Sequence, residues 1–313
     1  MKRRLYKVRT KKKVMIFLGI LLLLIISTGG IAGNYMYNLA LNPNTSKEKV
    51  FGKSNSTDEV SNWIIDESNY KDKFIKSGTI NLHGYEIENS NKSNVWVVSV
   101  HGYNGNGSKM ADYAKGFYDM GYNVLVPDLR GHGESEGNYI GMGWDDRLDI
   151  LKWINLILED HSDAEIILHG VSMGAATVMM TSGEQLPDNV KCIIEDCGYT
   201  SVWDEFSYQL KSLFNLPEVP VMQCADIVGR IRAGYWFSDA SAIDQIKKCT
   251  SPMLFIHGDE DDFVPYDMLD KLYDEGTMEK EKVVFEGAEH AKSLKSNPDL
   301  YWKSVRDFIN KYL

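Results

Sequence analysis

The residues best suited to chemistry lie in one short motif, Gly170-Val171-Ser172-Met173-Gly174. The motif follows an apolar, strand-like run and begins a segment of helical period. A serine on a sharp strand-to-helix turn, flanked by glycines, presents its hydroxyl above a sheet, and the N–H groups of the new helix face any oxyanion formed beside it. The alternative is that Ser172 only caps the helix. The motif makes Ser172 a candidate nucleophile that requires partners.

A serine hydroxyl needs a base, usually a histidine held by a carboxylate. Later in the chain, one strand-like run leads into an acidic loop and the next leads into a loop containing His290. Of the 7 histidines, only His290 follows the acidic loop, so we expect it to be the base. The acidic residues of the earlier loop are Asp259, Glu260, Asp261 and Asp262.

A third loop, His101-Gly102-Tyr103, follows another strand-like run. In this position the backbone N–H of Tyr103 is expected to join that of Met173 in an oxyanion hole. The imidazole of His101 is expected to be buried and bonded to the backbone, so that the loop acts through its main chain.

From residue 73 onward, short apolar runs alternate with segments of helical period. This alternation predicts a mostly parallel sheet with helices on both faces, and residues 73–79 and 82–88 are expected to add an antiparallel pair at its edge. The expected strands are residues 95–100, 122–126, 165–168, 191–194, 252–256 and 282–285. The expected helices are residues 108–120, 144–160, 173–182, 267–275 and 298–312.

Residues 198–250 interrupt the alternation and are rich in aromatic side chains. They are interpreted as a helical cap inserted over the carboxyl ends of the strands, where open sheets bind ligands. The alternative is a helical pair that merely packs on the core. Under the first interpretation, the candidates for the substrate pocket are Trp203, Phe206, Tyr235 and Trp236.

Taken together, residues 73–313 resemble the α/β-hydrolase superfamily, and within it the serine aminopeptidase-like group. Five motifs carry the resemblance in order along the chain. They are His101-Gly102, the segment from Asp128 to Ser135, the motif around Ser172, the loop Gly258…Asp261…Val264-Pro265, and His290. The commoner form of the serine motif has histidine where this chain has Val171.

The resemblance implies that Asp261 is the triad acid, with Asp196 as a second candidate, and that Asp259 and Asp262 belong to a solvated loop. Arg130, His132 and Glu134 are then expected to stabilise their loop. The implied enzyme is a serine hydrolase that cleaves a small or lipid-like ester through a Ser172–His290–Asp261 triad and an acyl-enzyme, without a cofactor or metal.

Three other functions stay open. A peptidase releasing N-terminal residues needs a carboxylate to hold the free amine, and Glu134 and Asp204 are the candidates. An acyltransferase at the membrane surface uses an alcohol in place of water. A non-catalytic binding protein would not require the triad at all.

The N-terminal segment has a separate role. Residues 1–13 hold eight basic residues, and residues 14–33 form an uncharged apolar run about 30 Å long as a helix, enough to cross a bilayer. Tyr35 and Tyr37 follow as an expected interfacial aromatic belt, and residues 34–72 are expected to form a stalk. The flanking charge predicts a cytoplasmic N-terminus and an exported body. A cleaved signal peptide, giving a secreted protein, is the alternative.

Composition bounds the remaining possibilities. The chain of 313 residues is 43% hydrophobic and 25% charged, which is typical of a globular protein. Its formal net charge is -10, and without the basic residues of the first thirteen the remainder carries -18, which disfavours binding to nucleic acid. The 4 cysteines show no metal-ligand spacing, and they are either paired after export or buried as small apolar residues.

Overall fold

The computed structural model describes residues 2–46 and 62–313 and places eight strands in one sheet. The strands are β1 (Lys71–Ser77), β2 (Ile80–Ile87), β3 (Val95–Val100), β4 (Asn123–Pro127), β5 (Glu165–Val171), β6 (Val190–Asp196), β7 (Met253–Gly258) and β8 (Lys280–Phe285). Their spatial order is β1-β2-β4-β3-β5-β6-β7-β8. Strand β2 is antiparallel to both neighbours and the other pairings are parallel. The expected sheet and its antiparallel edge pair are therefore confirmed.

Strands such as β3 read as continuous apolar runs because both faces of the sheet are covered. Every residue of β3 is buried. Its side chains alternate between two apolar cores, with Trp96 and Val98 in one and Val95 and Val97 in the other. This double burial holds rigid the strand ends from which the functional loops leave.

Eleven α-helices lie in the described part of the chain. They are α1 (Lys2–Leu41), α2 (Trp63–Asp66), α3 (Ala111–Asp119), α4 (Asp146–Asp160), α5 (Met173–Ser182), α6 (Val202–Phe214), α7 (Glu218–Arg232), α8 (Ala242–Ile246), α9 (Tyr266–Glu275), α10 (Ser293–Ser296) and α11 (Pro298–Ile309). The segment expected as one helix over residues 108–120 begins instead with a 3-10 turn, Gly107–Met110, before α3.

Helices α6, α7 and α8 make up the long connection between β6 and β7, where the inserted cap was expected. Helix α6 begins at Ser201, whose hydroxyl accepts a hydrogen bond from Asp204 N, and ends at Asn215 in a left-handed conformation. Asn tolerates that conformation better than most residues, so the chain turns sharply there into α7.

Helix α1 continues without a break from the basic N-terminus to Leu41. By length and composition alone, Lys11–Leu41 is a candidate membrane span or signal helix. Residues 34–72 were expected to form a stalk, but the two ends of this segment that the structure describes belong to regular elements. Residues 34–41 are the last turns of α1, residues 71–72 begin β1, and residues 47–61 lie outside the described residues. Tyr37 is 2% exposed within the core of the body, so it does not form the expected belt with Tyr35.

The end of α1 packs against cap helix α7. Glycine makes this close approach possible, because a Cβ on Gly33 would lie 2.2 Å from the carbonyl oxygen of Cys224. Gly29, one turn earlier, faces the Cys224 Sγ. Two turns further along α7, the guanidinium of Arg232 donates to the Oδ1 atoms of Asn34 and Asn38 at 2.8 and 2.9 Å. Small residues at this spacing are typical of tightly packed helix pairs.

Candidate active site

The turn between β5 and α5 holds Ser172 in a strained conformation. Its φ is 56° and its ψ is -118°, a region that non-glycine residues rarely occupy. A Cβ on Gly170 would lie 2.2 Å from the carbonyl oxygen of Gly174, and a Cβ on Gly174 would lie 2.1 Å from that of Val100. The two glycines of the motif are thus required by close backbone contacts, and Ser172 stands at the carboxyl end of the sheet.

Three residues from separate loops form a continuous chain of hydrogen bonds. The Oγ of Ser172 and the Nε2 of His290 are 2.8 Å apart, and the Nδ1 of His290 is 2.7 Å from the Oδ2 of Asp261. The loops follow β5, β8 and β7, so the parallel sheet brings together residues separated by as many as 118 positions. The geometry suits transfer of the Ser172 proton to His290 while Asp261 fixes the imidazole.

Asp261 is held as a charged acceptor. Its Oδ1 accepts the backbone N–H groups of Phe263 and Val264 at 3.0 and 2.8 Å, and a second histidine, His257, lies 3.2 Å from its Oδ2. Burial alone would raise the pKa of this carboxyl, but the hydrogen bonds from His257 and His290 outweigh it and lower the pKa of Asp261 to about 2. His257 was not anticipated from the sequence.

The second candidate acid, Asp196, is engaged elsewhere. Its Oδ1 accepts a 3.0 Å hydrogen bond from the Ser293 hydroxyl, and burial raises the pKa of this carboxyl to about 6. The neighbours of Asp261 also point away from the imidazole, since the Oδ1 of Asp259 accepts the N–H of Gly287 at 2.6 Å. Asp261 is thus the carboxylate that contacts His290.

The loop after β3 lies against Ser172. A Cβ on Gly102 would lie 3.3 Å from the Cβ of Ser172, so the backbone passes beside the nucleophile. Met173 is the first residue of α5, and a helix provides no internal acceptor for its first N–H groups. The Nδ1 of His101 lies 2.8 Å from the carbonyl of Gly102, and its Nε2 accepts the N–H of Leu129. Tyr103 and Met173 both line the adjacent pocket.

The segment around Asp128 organises this loop without entering the pocket. One oxygen of Asp128 accepts the N–H of Gly107 at 2.6 Å, and the other accepts the N–H of Glu134 at 2.9 Å. Arg130 donates hydrogen bonds from its Nε and its Nη2 to the same oxygen of Asp149, Oδ2. These contacts match the loop-stabilising role expected of the segment.

An apolar pocket opens above Ser172 and encloses about 840 Å³ including its mouth. Of the four cap aromatics expected to line it, Phe206 does so. The other three expectations require correction. Trp203 turns its Nε1 towards Glu218, Tyr235 is buried with its hydroxyl donated to Gly141 O, and Trp236 is 37% exposed on the surface. The remaining cap residues of the pocket are Tyr199, Glu205, Gln209, Leu210, Leu213, Phe214, Val221, Met222, Ala225 and Phe237.

One wall of the pocket comes from outside the expected catalytic body. Met36, Tyr37, Leu39 and Ala40, in the last turns of α1, contact the same cavity as Ser172. Sequence reasoning missed them because it ended the apolar helix at residue 33. The signal available was the pair Gly29 and Gly33, whose spacing marks a helix face built for close packing.

Glu205 is the acidic residue among those that line the pocket. Its Oε1 accepts a 3.0 Å hydrogen bond from Gln209, and its Oε2 is buried without a partner. Burial, together with the negative charge of Asp261, raises the pKa of Glu205 to about 8, so the side chain is largely neutral at pH 7. Glu134 and Asp204, the carboxylates expected to hold a substrate amine, do not line the pocket; Asp204 instead accepts from the Thr200 hydroxyl.

Within the described residues, Cys197, Asp261 and His290 place metal-binding atoms within 4.8 Å of one another. They form a poor donor set, because Asp261 and His290 are bonded to each other and burial raises the pKa of the Cys197 thiol well above its usual value. All four cysteines are free, and Cys192, Cys197 and Cys249 are buried whereas Cys224 is partly exposed.

The loops after β5, β7 and β8 carry a serine, an acid and a histidine in that order. Together with the strand order, this arrangement defines an α/β-hydrolase fold. A family model described as the alpha/beta hydrolase fold matches residues 95–218. The chain is also 30% identical over 230 residues to the uncharacterized protein YqkD of Bacillus subtilis, covering 73% of this chain and 75% of YqkD. It therefore belongs to the α/β-hydrolase family, and the resemblance seen in its motifs is confirmed.

Solved structures show the same fold. The Pyrococcus furiosus esterase Pf2001 matches with a TM-score of 0.64 at 23% identity, over 78% of this chain and 92% of the esterase. The acylaminoacyl peptidase of Pyrococcus horikoshii matches with a TM-score of 0.58 at 19% identity, over 78% of this chain and 41% of the peptidase. At such identities these likenesses describe the architecture and not the substrate.

Proposed function

We propose that the protein is a serine hydrolase that cleaves carboxylic esters through an acyl-enzyme on Ser172. The observation that carries this proposal is the hydrogen-bond chain Ser172–His290–Asp261 at the floor of an apolar pocket. Burial of Asp261 and its two backbone donors keep the carboxylate oriented, so the imidazole presents Nε2 to the serine.

In the acylation step, the Oγ of Ser172 attacks the ester carbonyl while its proton moves to the Nε2 of His290. The oxyanion accepts hydrogen bonds from the N–H groups of Tyr103 and Met173. His290 then gives its proton to the departing alcohol oxygen, the C–O bond breaks, and the acyl group remains on Ser172. A water deprotonated by His290 attacks the acyl-enzyme and releases the acid.

The character of the pocket favours an ester over a peptide with a free amino terminus. A substrate ammonium requires a charged partner, but the carboxyl of Glu205 is largely neutral at pH 7 and the rest of the lining is mainly apolar. An acyl chain, by contrast, gains about 0.8 kcal/mol for each CH₂ buried in such surroundings. We therefore place the acyl group, rather than an amine, in the cap.

We further propose that α1 anchors the protein, with residues 14–33 in the bilayer, the basic N-terminus in the cytoplasm and the catalytic body outside. Support comes from the length of α1 and from the position of its basic residues. The last turns of α1 line the pocket, so an uncleaved helix accounts for the site better than a removed signal peptide.

The test is turnover of short 4-nitrophenyl esters and labelling by a fluorophosphonate probe. Ser172→Ala should lower kcat by about 10⁶-fold and abolish labelling, whereas Ser162→Ala, at an exposed serine remote from the site, should change neither. Full labelling of Ser172→Ala would contradict the assignment. A series of ester chain lengths compared with aminoacyl arylamides tests the substrate class, and a preference for arylamides would favour the peptidase.

A further inference from the structure

The pocket and the proposed anchor are parts of one structure. Met36, Tyr37, Leu39 and Ala40 of α1 form a wall of the cavity that contains Ser172. A substrate bound at Ser172 therefore touches the same helix that, three to eleven residues earlier, packs through Gly33 and Gly29 against the cap. The question is from which side such a substrate enters.

The direction of α7 shows where the outer end of the cap lies. Cys224 meets Gly29 and Gly33, whereas Arg232, two turns later, meets Asn34 and Asn38. The contacts advance along both helices in the same sense. The continuous part of α7, which starts after a break in the helix at Val219, consequently begins on the side of Cys224 that faces the earlier turns of α1, within the proposed membrane span.

This end of the cap, residues 213–220, is called the cap tip. It is unusually apolar for an exposed turn, because Leu213, Leu216 and Val219 are 40%, 36% and 66% exposed. Ile227, 51% exposed, extends the apolar surface along α7. Single exposed apolar residues are ordinary, but several on one segment beside an apolar helix that itself requires a lipid environment suit contact with lipid.

The cavity extends to this end of the cap. Among the residues that line the cavity, Leu213 of the cap tip is the most exposed. At the opposite end of α7, Arg232 marks the level at which α1 becomes polar, since its guanidinium bonds to Asn34 and Asn38 and stacks 4.0 Å from the centre of the Tyr37 ring.

We propose that the cap tip is immersed in the outer leaflet beside α1, and that the pocket takes its substrate directly from the bilayer as an ester carried there by a single acyl chain. The inference rests on the proposed hydrolase function and deepens it by naming the substrate class and the route of entry. The cavity is lined mainly by apolar side chains, which suit an acyl chain rather than a charged headgroup. The acidic body, repelled by anionic lipid, favours a substrate without negative charge.

The experiment uses the full chain in phosphatidylcholine vesicles with two esters of the same leaving group, 4-nitrophenyl acetate in the water and 4-nitrophenyl palmitate in the bilayer. The variant Leu216→Ser/Val219→Ser/Ile227→Ser removes apolar surface outside the pocket lining. We expect it to turn over the acetate within twofold of the unmodified protein and the palmitate at least tenfold more slowly. The matched control, Leu148→Ser/Val284→Ser/Leu300→Ser, changes residues 37–39% exposed on other elements and should leave both rates unchanged.

The outcomes separate the two proposals. Absence of acetate turnover and of fluorophosphonate labelling in the unmodified protein would overturn the hydrolase function itself. Acetate turnover without palmitate turnover, or a cap-tip variant as active on palmitate as the control, would overturn membrane entry alone.

A second measurement is independent of activity. A nitroxide attached at Val219→Cys should be accessible to oxygen and protected from a water-soluble nickel complex, whereas one at Leu300→Cys should show the reverse. Nickel accessibility at Val219→Cys, or spin–spin broadening that reveals a second copy covering the tip, would overturn the proposal even if the serine substitutions destabilise the cap.

Discussion

The hydroxyl of Tyr103 donates a 2.6 Å hydrogen bond to the carbonyl oxygen of Ala40. Tyr103 belongs to the loop proposed to hold the oxyanion, and Ala40 lies in the last turn of α1. Burial raises the pKa of the Tyr103 phenol well above its usual value, so the group remains a donor at neutral pH. Helix α1 and the loop proposed to hold the oxyanion are therefore joined through this side chain.

This coupling predicts the effect of Tyr103→Phe. Removing the donor should displace the loop and lower kcat/KM for 4-nitrophenyl acetate by about tenfold, equivalent to about 1.4 kcal/mol of transition-state stabilisation. The control is Tyr35→Phe, which changes a tyrosine of α1 that is 58% exposed. It should leave kcat/KM unchanged. Equal activity of Tyr103→Phe and Tyr35→Phe would show that the contact does not position the loop.

The identity of the triad acid gives a second prediction. Asp261→Asn should reduce kcat by about 10³- to 10⁴-fold, because the amide no longer holds the imidazole in the reactive tautomer. Asp196→Asn should retain kcat within about tenfold, since Asp196 bonds to Ser293 and does not contact His290. Steady-state kinetics of the two variants settles the comparison, and a reversed order of effects would reassign the acid.

The raised pKa of Glu205 predicts that the stability of the folded protein depends on pH. Its pKa is about 8 in the folded protein, above the ordinary value of 4.5, so the folded state binds more protons than the unfolded state between these values. Stability contributed by this group therefore falls as pH rises through that window, by on the order of a few kcal/mol. Glu205→Gln removes the dependence. In denaturant unfolding, the free energy of unfolding of Glu205→Gln should exceed that of the unmodified protein by more at pH 8.5 than at pH 5. A difference between the two proteins that does not depend on pH would contradict the assignment.

The packing of α1 on the cap is tested by a pair of glycines. A Cβ on Gly33 would overlap the carbonyl of Cys224, whereas a Cβ on Gly30 meets nothing within 4 Å. Gly33→Ala should separate α1 from α7, lower the melting temperature by several degrees and reduce turnover of long-chain esters. Gly30→Ala should be neutral or stabilise the helix by up to about 1 kcal/mol. Thermal unfolding in detergent and the chain-length series measure both effects; identical behaviour of the two variants would exclude tight packing.

Much of the fold was predictable because the sheet is covered on both faces. Continuous apolar runs located the strands near Val95 and Met253, and the same runs predicted where the loops carrying Ser172, Asp261 and His290 meet. The motif glycines were informative since backbone contacts at Gly170 and Gly174 admit no side chain. Local sequence thus identified the candidate residues Ser172, Asp261 and His290. The parallel strands explain why their three loops lie close together.

The pocket was less predictable because it depends on packing between distant elements. Trp203 and Phe206 are close in sequence, but they leave α6 in different directions, and only the latter reaches the cavity. The contribution of α1 was hidden by its continuous helical pattern, in which nothing separates the apolar span from the turns that meet the cap. His257 was likewise hidden, because its role comes from a contact made through the fold with Asp261.

The continuity of α1 has a consequence for the energy of substrate binding. In the proposed topology, Ala40 lies seven residues beyond the end of the span, which is about 10 Å further along the helix axis. Because Gly33 packs tightly against the cap, the position of the body along α1 is fixed. Ser172 therefore lies at a constant distance from the hydrocarbon. An acyl chain must rise by that distance to react, and the apolar wall formed by Met36 and Leu39 receives each methylene as it leaves the lipid. Contact with α1 thus keeps the acyl chain out of water, where its exposure would cost about 0.8 kcal/mol per CH₂.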